Sequence, residues 1–154
     1  MKYARRMTSA LLLVLVAGVI GCRMSSPPSL GVRSGRLLPC PASPNCVCSQ
    51  DPDPDHQIAP FDCTGPGSNA WARLRATVEA EPRTKILESG TGYLRVEFRS
   101  RIWRFVDDVE FNLDPAAQVI HVRSASRVGY SDLGANRKRV ERLRKAFAAS
   151  ESSH

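Results

Sequence analysis

No Gly-x-Gly-x-x-Gly occurs in this sequence, no glycine-rich loop runs on into Lys-Ser/Thr, and no serine sits in a Gly-x-Ser-x-Gly elbow. Those absences remove the signatures of dinucleotide binding, of P-loop phosphate binding and of the α/β-hydrolase nucleophile. No internal repeat is visible either. Beyond Cys22 no run is apolar over the roughly 20 residues that a membrane-spanning helix needs.

What is present is concentrated at the start. Lys2, Arg5 and Arg6 precede an apolar run from Ala10 to Ile20, which ends in Val19-Ile20-Gly21-Cys22. Eleven helical residues at about 1.5 Å each cover only about half of a roughly 30 Å hydrocarbon core, so the run reads as a signal segment. The small residue before Cys22 gives it the form of a bacterial lipobox. Cleavage after Gly21 with acylation of Cys22 would leave a lipid-anchored protein, because each buried CH₂ contributes about 0.8 kcal/mol. The expected address is the cell envelope, and Arg23 in place of Asp fits the periplasmic face of an outer membrane in a two-membrane cell. Removing residues 1–21 takes the basic count from 22 to 19 against 15 acidic residues, so a charge of +7 becomes +4. A balance that small argues against a nucleic-acid partner defined by bulk charge.

With Cys22 assigned to lipid, four cysteines remain: Cys40, Cys46, Cys48 and Cys63. An exported chain keeps disulfides, and four cysteines allow three pairings. A Cys46–Cys48 bridge would close a strained ring across alternating side chains. The preferred pairing is Cys40–Cys46 with Cys48–Cys63. A zinc site using these thiols with His56 is the alternative, but Cys46-Val47-Cys48 lacks the usual two-to-four-residue gap, and no metal is expected. Asp51-Pro52-Asp53-Pro54-Asp55 resembles the opening of a calcium loop, but His56 stands where glycine is required and Asp62 where glutamate is, so it reads as a solvated acidic loop.

Three divisions follow: a signal peptide over 1–21, a flexible Ser/Pro/Gly-rich tether over 22–39, and one globular domain over 40–150. Residues 40–67 lack helical or strand periodicity and are expected to be loop ordered by disulfides. Trp71, Leu74 and Val78 then recur at helical spacing, with Ser68 or Asn69 as cap and Pro82 as stop. Strands are expected at 84–88, 93–100, 104–113 and 118–124. In the second, Leu94, Val96 and Phe98 alternate with Tyr93, Arg95, Glu97 and Arg99. In the third, Phe105, Val109, Phe111 and Leu113 alternate with Asp108, Glu110 and Asn112. A last helix over 132–149, capped by Ser131 or Asp132, has a Val140/Leu143/Phe147 stripe and an opposite face of Lys138, Arg139, Arg142 and Lys145. The order predicts an α+β, two-layer domain: a four-stranded antiparallel sheet with both helices on one face. The outer sheet face, with its mixed charges and His121, reads as solvated cross-strand pairs.

One residue breaks the alternation. Asp107 shares parity with Phe105, Val109 and Phe111, so its carboxylate points at the helices, where burial is costly without a partner. Arg123, Arg127 and Arg137 are the candidates, and a buried clamp is the favoured role. Beyond it, Arg123 to Arg137 packs polar groups around a strand-to-helix junction, where free N–H groups with Ser126, Arg127 and Arg137 are the makings of an anion site. Asp107, Arg123, Ser126, Arg127, Asp132, Asn136 and Arg137 therefore form the candidate ligand set. Ser124 and Ser126 with His121 do not by themselves make a triad.

Taken together, Cys40-Pro41-x-Ser43-Pro44-Asn45-Cys46-Val47, His56-x-Ile58-x-Pro60, Phe105-Val106-Asp107-Asp108-Val109-Glu110-Phe111 and the Arg123-to-Arg137 run resemble the domain-of-unknown-function family 1499 of bacterial and plant proteins. The resemblance covers about residues 39–147. It implies export or membrane association and carries over no catalytic roles or cofactor. Cys48 departs from the serine expected of the family, which on the resemblance makes Cys48–Cys63 an optional bridge beside a commoner Cys40–Cys46. The expected function is a binding or structural envelope domain, bound to the membrane by its lipid and holding a small anionic ligand or a protein partner. The alternative is a hydrolase using Asp107, Arg127 and Asp132.

Overall fold

In the computed structural model the chain is described over residues 30–63 and 67–151, and the lipobox ending in Cys22 lies outside the described residues. In chain order the elements are β1 (Val32–Arg33), β2 (Arg36–Leu37), β3 (Cys46–Cys48), β4 (Phe61–Asp62), α1 (Gly67–Glu79), β5 (Thr84–Ser89), β6 (Tyr93–Arg99), β7 (Val106–Asp114), β8 (Val119–Ser126) and α2 (Ala135–Ala149). Strands β5 to β8 form the expected antiparallel meander. Among the described residues no helix is long and apolar enough to cross a membrane.

The sheet has six strands rather than four. Strands β3 and β4 both pair antiparallel with the free edge of β8, Val47 opposite Ser124 and Phe61 opposite Ile120. Their two or three residues are too few to show a period among prolines and aspartates, yet they cover backbone groups that an open edge would expose. Val47 and Phe61 point into the core.

Both helices cover one face. Leu74 and Val78 of α1 and Val140, Leu143 and Phe147 of α2 pack on Leu94, Val96, Val109, Phe111, Ile120 and Val122. Phe61 meets Phe111 and Phe147 edge-on, at 5.8 and 5.6 Å between ring centroids. The first helix begins at Gly67, so Asn69 sits inside its first turn, and the Ser68 side chain lies outside the described residues. Phe105 does not face in: it precedes β7 and is exposed.

The opposite face is not solvated. Glu97, Asp108 and Glu110 are buried there with Arg123. Residues 30–39, expected as free tether, lie across it. Gly31 N–H donates to Glu110 Oε1 at 2.7 Å, Asn112 Nδ2 donates to the Gly35 carbonyl at 3.1 Å, and Leu37 N–H donates to Gln50 Oε1 at 2.8 Å. Strands β1 and β2 form a small hairpin whose Leu37 is buried.

The Cys40–Cys46 disulfide fastens this segment to β3. Cys48 and Cys63 are separate buried thiols, which corrects the expected second bridge. Cys48 is opposite Arg123, whereas Cys63 N–H bonds the Gln118 carbonyl. Five residues of β8 separate those positions, about 16 Å, where a disulfide needs Cα atoms within about 7 Å. Burial pushes both thiols up.

Candidate functional site

Asp107 is buried on the helix-facing side, as its parity requires, and ion-pairs with Arg139. None of the three expected arginines reaches it. Arg139, expected on the outer face of the last helix, turns inward with its guanidinium 5.0 Å from the Phe98 ring centroid. Its alkyl stem and planar head let it occupy a position where a lysine would leave donors unmet.

Asn136 holds the junction together. Only 1 % exposed, its amide oxygen accepts from Ser124 Oγ at 2.6 Å and Arg139 Nη1 at 2.7 Å. Its Nδ2 donates to the Asn45 carbonyl, Ser126 Oγ and Asp132 Oδ2 at 2.8–3.0 Å. One side chain thus ties β8, α2 and the loop before β3. Sequence reasoning placed Asn136 in the set but missed Asn45, whose only signal was the family-like Pro44-Asn45-Cys46.

The α2 terminus is already occupied. Helix α2 starts at Ala135, after a left-handed Gly134 (φ 76), so neither Ser131 nor Asp132 is the N-cap residue itself. Asp132 nevertheless reaches forward: Oδ1 accepts Gly134 N–H at 2.9 Å and Oδ2 accepts Asn136 N–H at 2.7 Å. The position an external anion was expected to take holds the chain's own carboxylate.

Arg123 and Arg127 lie on the other side of the sheet. Arg127 forks onto Asp108 at 2.7 and 2.8 Å and reaches Glu97 at 3.1 Å. Arg95 adds a contact to Asp108 at 3.2 Å, Arg99 pairs with Glu97 at 2.6 Å, and Arg123 with Glu110 at 3.4 Å. Burial raises the Asp108 carboxyl, but the Arg127 and Arg95 guanidiniums outweigh it and hold it below the usual carboxylate range. Burial first, then the Glu110 charge 2.8 Å away, push the Tyr93 hydroxyl far up. Asp107, Arg127 and Asp132 therefore do not converge, and the triad proposed for hydrolysis is divided between two faces.

A cavity of about 350 Å³ beside the N-terminal cover is lined by Asp108, Arg123, Ser126 and Arg127, whose charges are already paired. Another, of about 250 Å³ on the helix side of that junction, is lined by His56, Asp53, Asp55, Tyr130, Asp132 and Arg137, beside Cys46 and Val47. Arg137 donates to the Gln57 and Asp55 carbonyls at 2.8 and 3.1 Å, holding the 53–57 loop against α2. His56 Nδ1–H donates to the Cys46 carbonyl at 3.0 Å, which places a proton on Nδ1 and leaves Nε2 as the ring's other polar atom. The acidic loop is solvated at Asp53 and Asp55, as expected, while it borders this cavity and its first residue, Asp51, is buried and accepts Cys40 N–H at 2.6 Å. Among the described residues no group of three or more His, Cys, Asp or Glu is placed to hold a metal ion. A larger cavity of about 790 Å³ runs between α1 and α2, where four alanines alternate with Asn69, Arg73, Thr77, Glu81 and Ser150.

This architecture defines a two-layer α+β domain with a disulfide-fastened N-terminal cover. Residues 36–147 match the profile of the DUF1499 family, described as proteins of unknown function, and the chain belongs to that family. No curated protein matches the chain.

Proposed function

We propose that the chain is a lipid-anchored domain of the bacterial cell envelope that acts by binding a small ligand in the junction cavity. The lipobox at Val19–Cys22 supports the anchor, with the Cys22 thiol as the acylated atom. The observation that carries the binding reading is the contrast between consumed and available groups. Asp107, Asn136 and Asp132 are engaged by the fold, while His56 Nε2 and the Tyr130 ring border an open cavity.

Its volume is below the roughly 300–1,000 Å³ of typical small-molecule sites, so the occupant is a small polar molecule or one end of a longer one. Three carboxylates line the cavity against one guanidinium. That balance, with Asp132 already at the helix terminus, favours a ligand rich in hydrogen-bond donors, an ammonium or a polyol, over the anion expected from the sequence. Hydrolysis is the weaker reading, because the carboxylate suggested as acid or base is neutralised by Arg139.

Native mass spectrometry of the detergent-purified full chain, beside His56→Leu and Arg137→Ala, tests this. A small adduct on the native protein that both variants lack supports the cavity as the site. An adduct of unchanged occupancy in both variants places binding elsewhere.

A further inference from the structure

Eight large hydrophobic side chains are exposed among the described residues, and six of them sit at one end of the sheet. Ile102, Trp103 and Phe105 come from the β6–β7 connection, and Val128, Tyr130 and Leu133 from the β8–α2 connection. The two connections are neighbours, because Arg127 N–H donates to the Val106 carbonyl at 3.0 Å and Asp107 lies opposite Ser126. Trp103 is 77 %, Tyr130 75 % and Leu133 86 % exposed. An isolated exposed leucine needs no explanation; six large apolar groups on two adjacent loops form a surface that water alone does not favour.

The same end is ringed with cations. Arg101 and Arg104 alternate with the apolar residues in Arg101-Ile102-Trp103-Arg104-Phe105, and Arg83, Lys85 and Lys138 are exposed beside them. Beside the β6–β7 connection the carboxylates are already taken, Glu97 by Arg99 and Arg127, Asp107 by Arg139, and Glu81 by Arg142, whereas Asp53, Asp55 and Asp132 line the junction cavity on the Tyr130 side. At the far end, the Gly90–Gly92 and Asp114–Gln118 turns carry no exposed large hydrophobic residue. The asymmetry is apolar, and cations flank the apolar residues of the β6–β7 connection.

We propose that this end of the domain docks on the surface of an anionic phospholipid bilayer, with Trp103, Ile102 and Phe105 entering the headgroup region and Arg101 and Arg104 on lipid phosphates. Tryptophan and tyrosine prefer that interface, where a ring finds apolar and wet surroundings together, and arginine stems reach phosphates while their chains cover acyl carbon. Each arginine near an anionic surface adds to the attraction, which salt weakens. The start of the described chain agrees. Leu30 lines one cavity with Asp108 and Arg127, and Asp108 is three residues, or about 10 Å, along the chain from Phe105. The eight steps from Cys22 to Leu30 span at most about 28 Å, enough for an anchored chain to lay this end on its own membrane. The tether argument rests on the lipid-anchor reading; the charge and apolar arguments stand without it.

The two tryptophans separate the outcomes, because Trp71 belongs to α1 near its start, and Gly67 there lies against Leu113 at the far end of the sheet. Full-length Trp71→Phe and Trp103→Phe chains, each with one tryptophan, are reconstituted in phosphatidylglycerol-rich vesicles carrying brominated acyl chains. The inference expects Trp103 emission to shift to shorter wavelength and fall at least about twofold, with Trp71 emission unchanged. Arg101→Glu/Arg104→Glu in the Trp71→Phe background should abolish that quenching. Trp103 that floats with vesicles yet stays unquenched and open to aqueous iodide would overturn the proposal, as would shielding that depends on protein concentration without lipid, the mark of a protein partner or second copy. Flotation reports the anchor separately: a chain that fails to float but is still quenched by added vesicles keeps the docking surface and loses the anchor.

Discussion

The two faces of one sheet are buried by different means. Towards the helices, Leu94, Val96, Val109, Phe111 and Val122 are sealed by two amphipathic helices, with Asp107–Arg139 as the buried ion pair. On the other side, Glu97, Asp108 and Glu110 are nearly as well buried, but by arginines and by an irregular segment fastened through Cys40–Cys46. Apolar contact on the first face is non-directional and tolerant of small shifts. The second depends on fixed geometry, since a buried carboxylate without its guanidinium is costly. The carboxylates of both faces are committed to guanidiniums, although Arg123 Nε on the outer face is buried without a partner.

The sharpest way to break the helix-covered face is Asp107→Asn. It leaves Arg139 buried without its counter-charge and should cost about 3–5 kcal/mol, read as a fall in urea midpoint at unchanged m-value. An unaltered midpoint would mean that Arg139 finds another partner. Unfastening the opposite face should cost less. Cys40→Ser opens a loop of sequence separation 6, worth about 2 kcal/mol by loop-closure entropy. The Gly31 and Leu37 amides should then exchange with solvent much faster, while amides of α2 change little; equal acceleration in both would deny that the cover is a separate unit.

The smallest effect appears only in acid. The Asp108 carboxyl is held low by Arg127 and Arg95, so the folded state binds its proton less readily than the unfolded chain. That stability is fully present above the ordinary aspartate value of about 4 and is lost as pH falls through the lowered folded value. The Asp108 contribution should therefore be level above about pH 5 and decline below it, beneath an earlier fall from near neutrality due to His121, whose burial lowers its pKa. Asp108→Asn should show a shallower acid limb below about pH 5. Parallel limbs would assign the acid sensitivity to other carboxylates.

Much of this was readable from residue order. The Trp71/Leu74/Val78 and Val140/Leu143/Phe147 stripes and the 93–99 alternation carry their own periods, and Asp107 announced itself by parity. Three things were not readable. Cys46–Cys48 is a strand only because β8 has an edge to fill, and three residues hold no period. The outer face alternates like a solvated one, because a charged side chain covered by other charges and a loop has the same sequence pattern as one in water. Arg139 stands among Lys138, Arg142 and Lys145, and nothing local distinguishes the one that turns inward. The candidate cluster was accurate as a list of polar residues near a junction; a sheet's two faces split it, since neighbours in sequence along a strand point opposite ways.

Attachment at Cys22 is the claim on which the envelope reading depends, and it is tested most directly by metabolic labelling with an alkyne-bearing fatty acid in cells expressing the full chain or Cys22→Ala. The account predicts label on the native protein in the membrane fraction, and neither label nor membrane retention beyond a weak, salt-sensitive remainder for Cys22→Ala. Equal labelling of both chains, or no labelling with unchanged membrane retention, would contradict it.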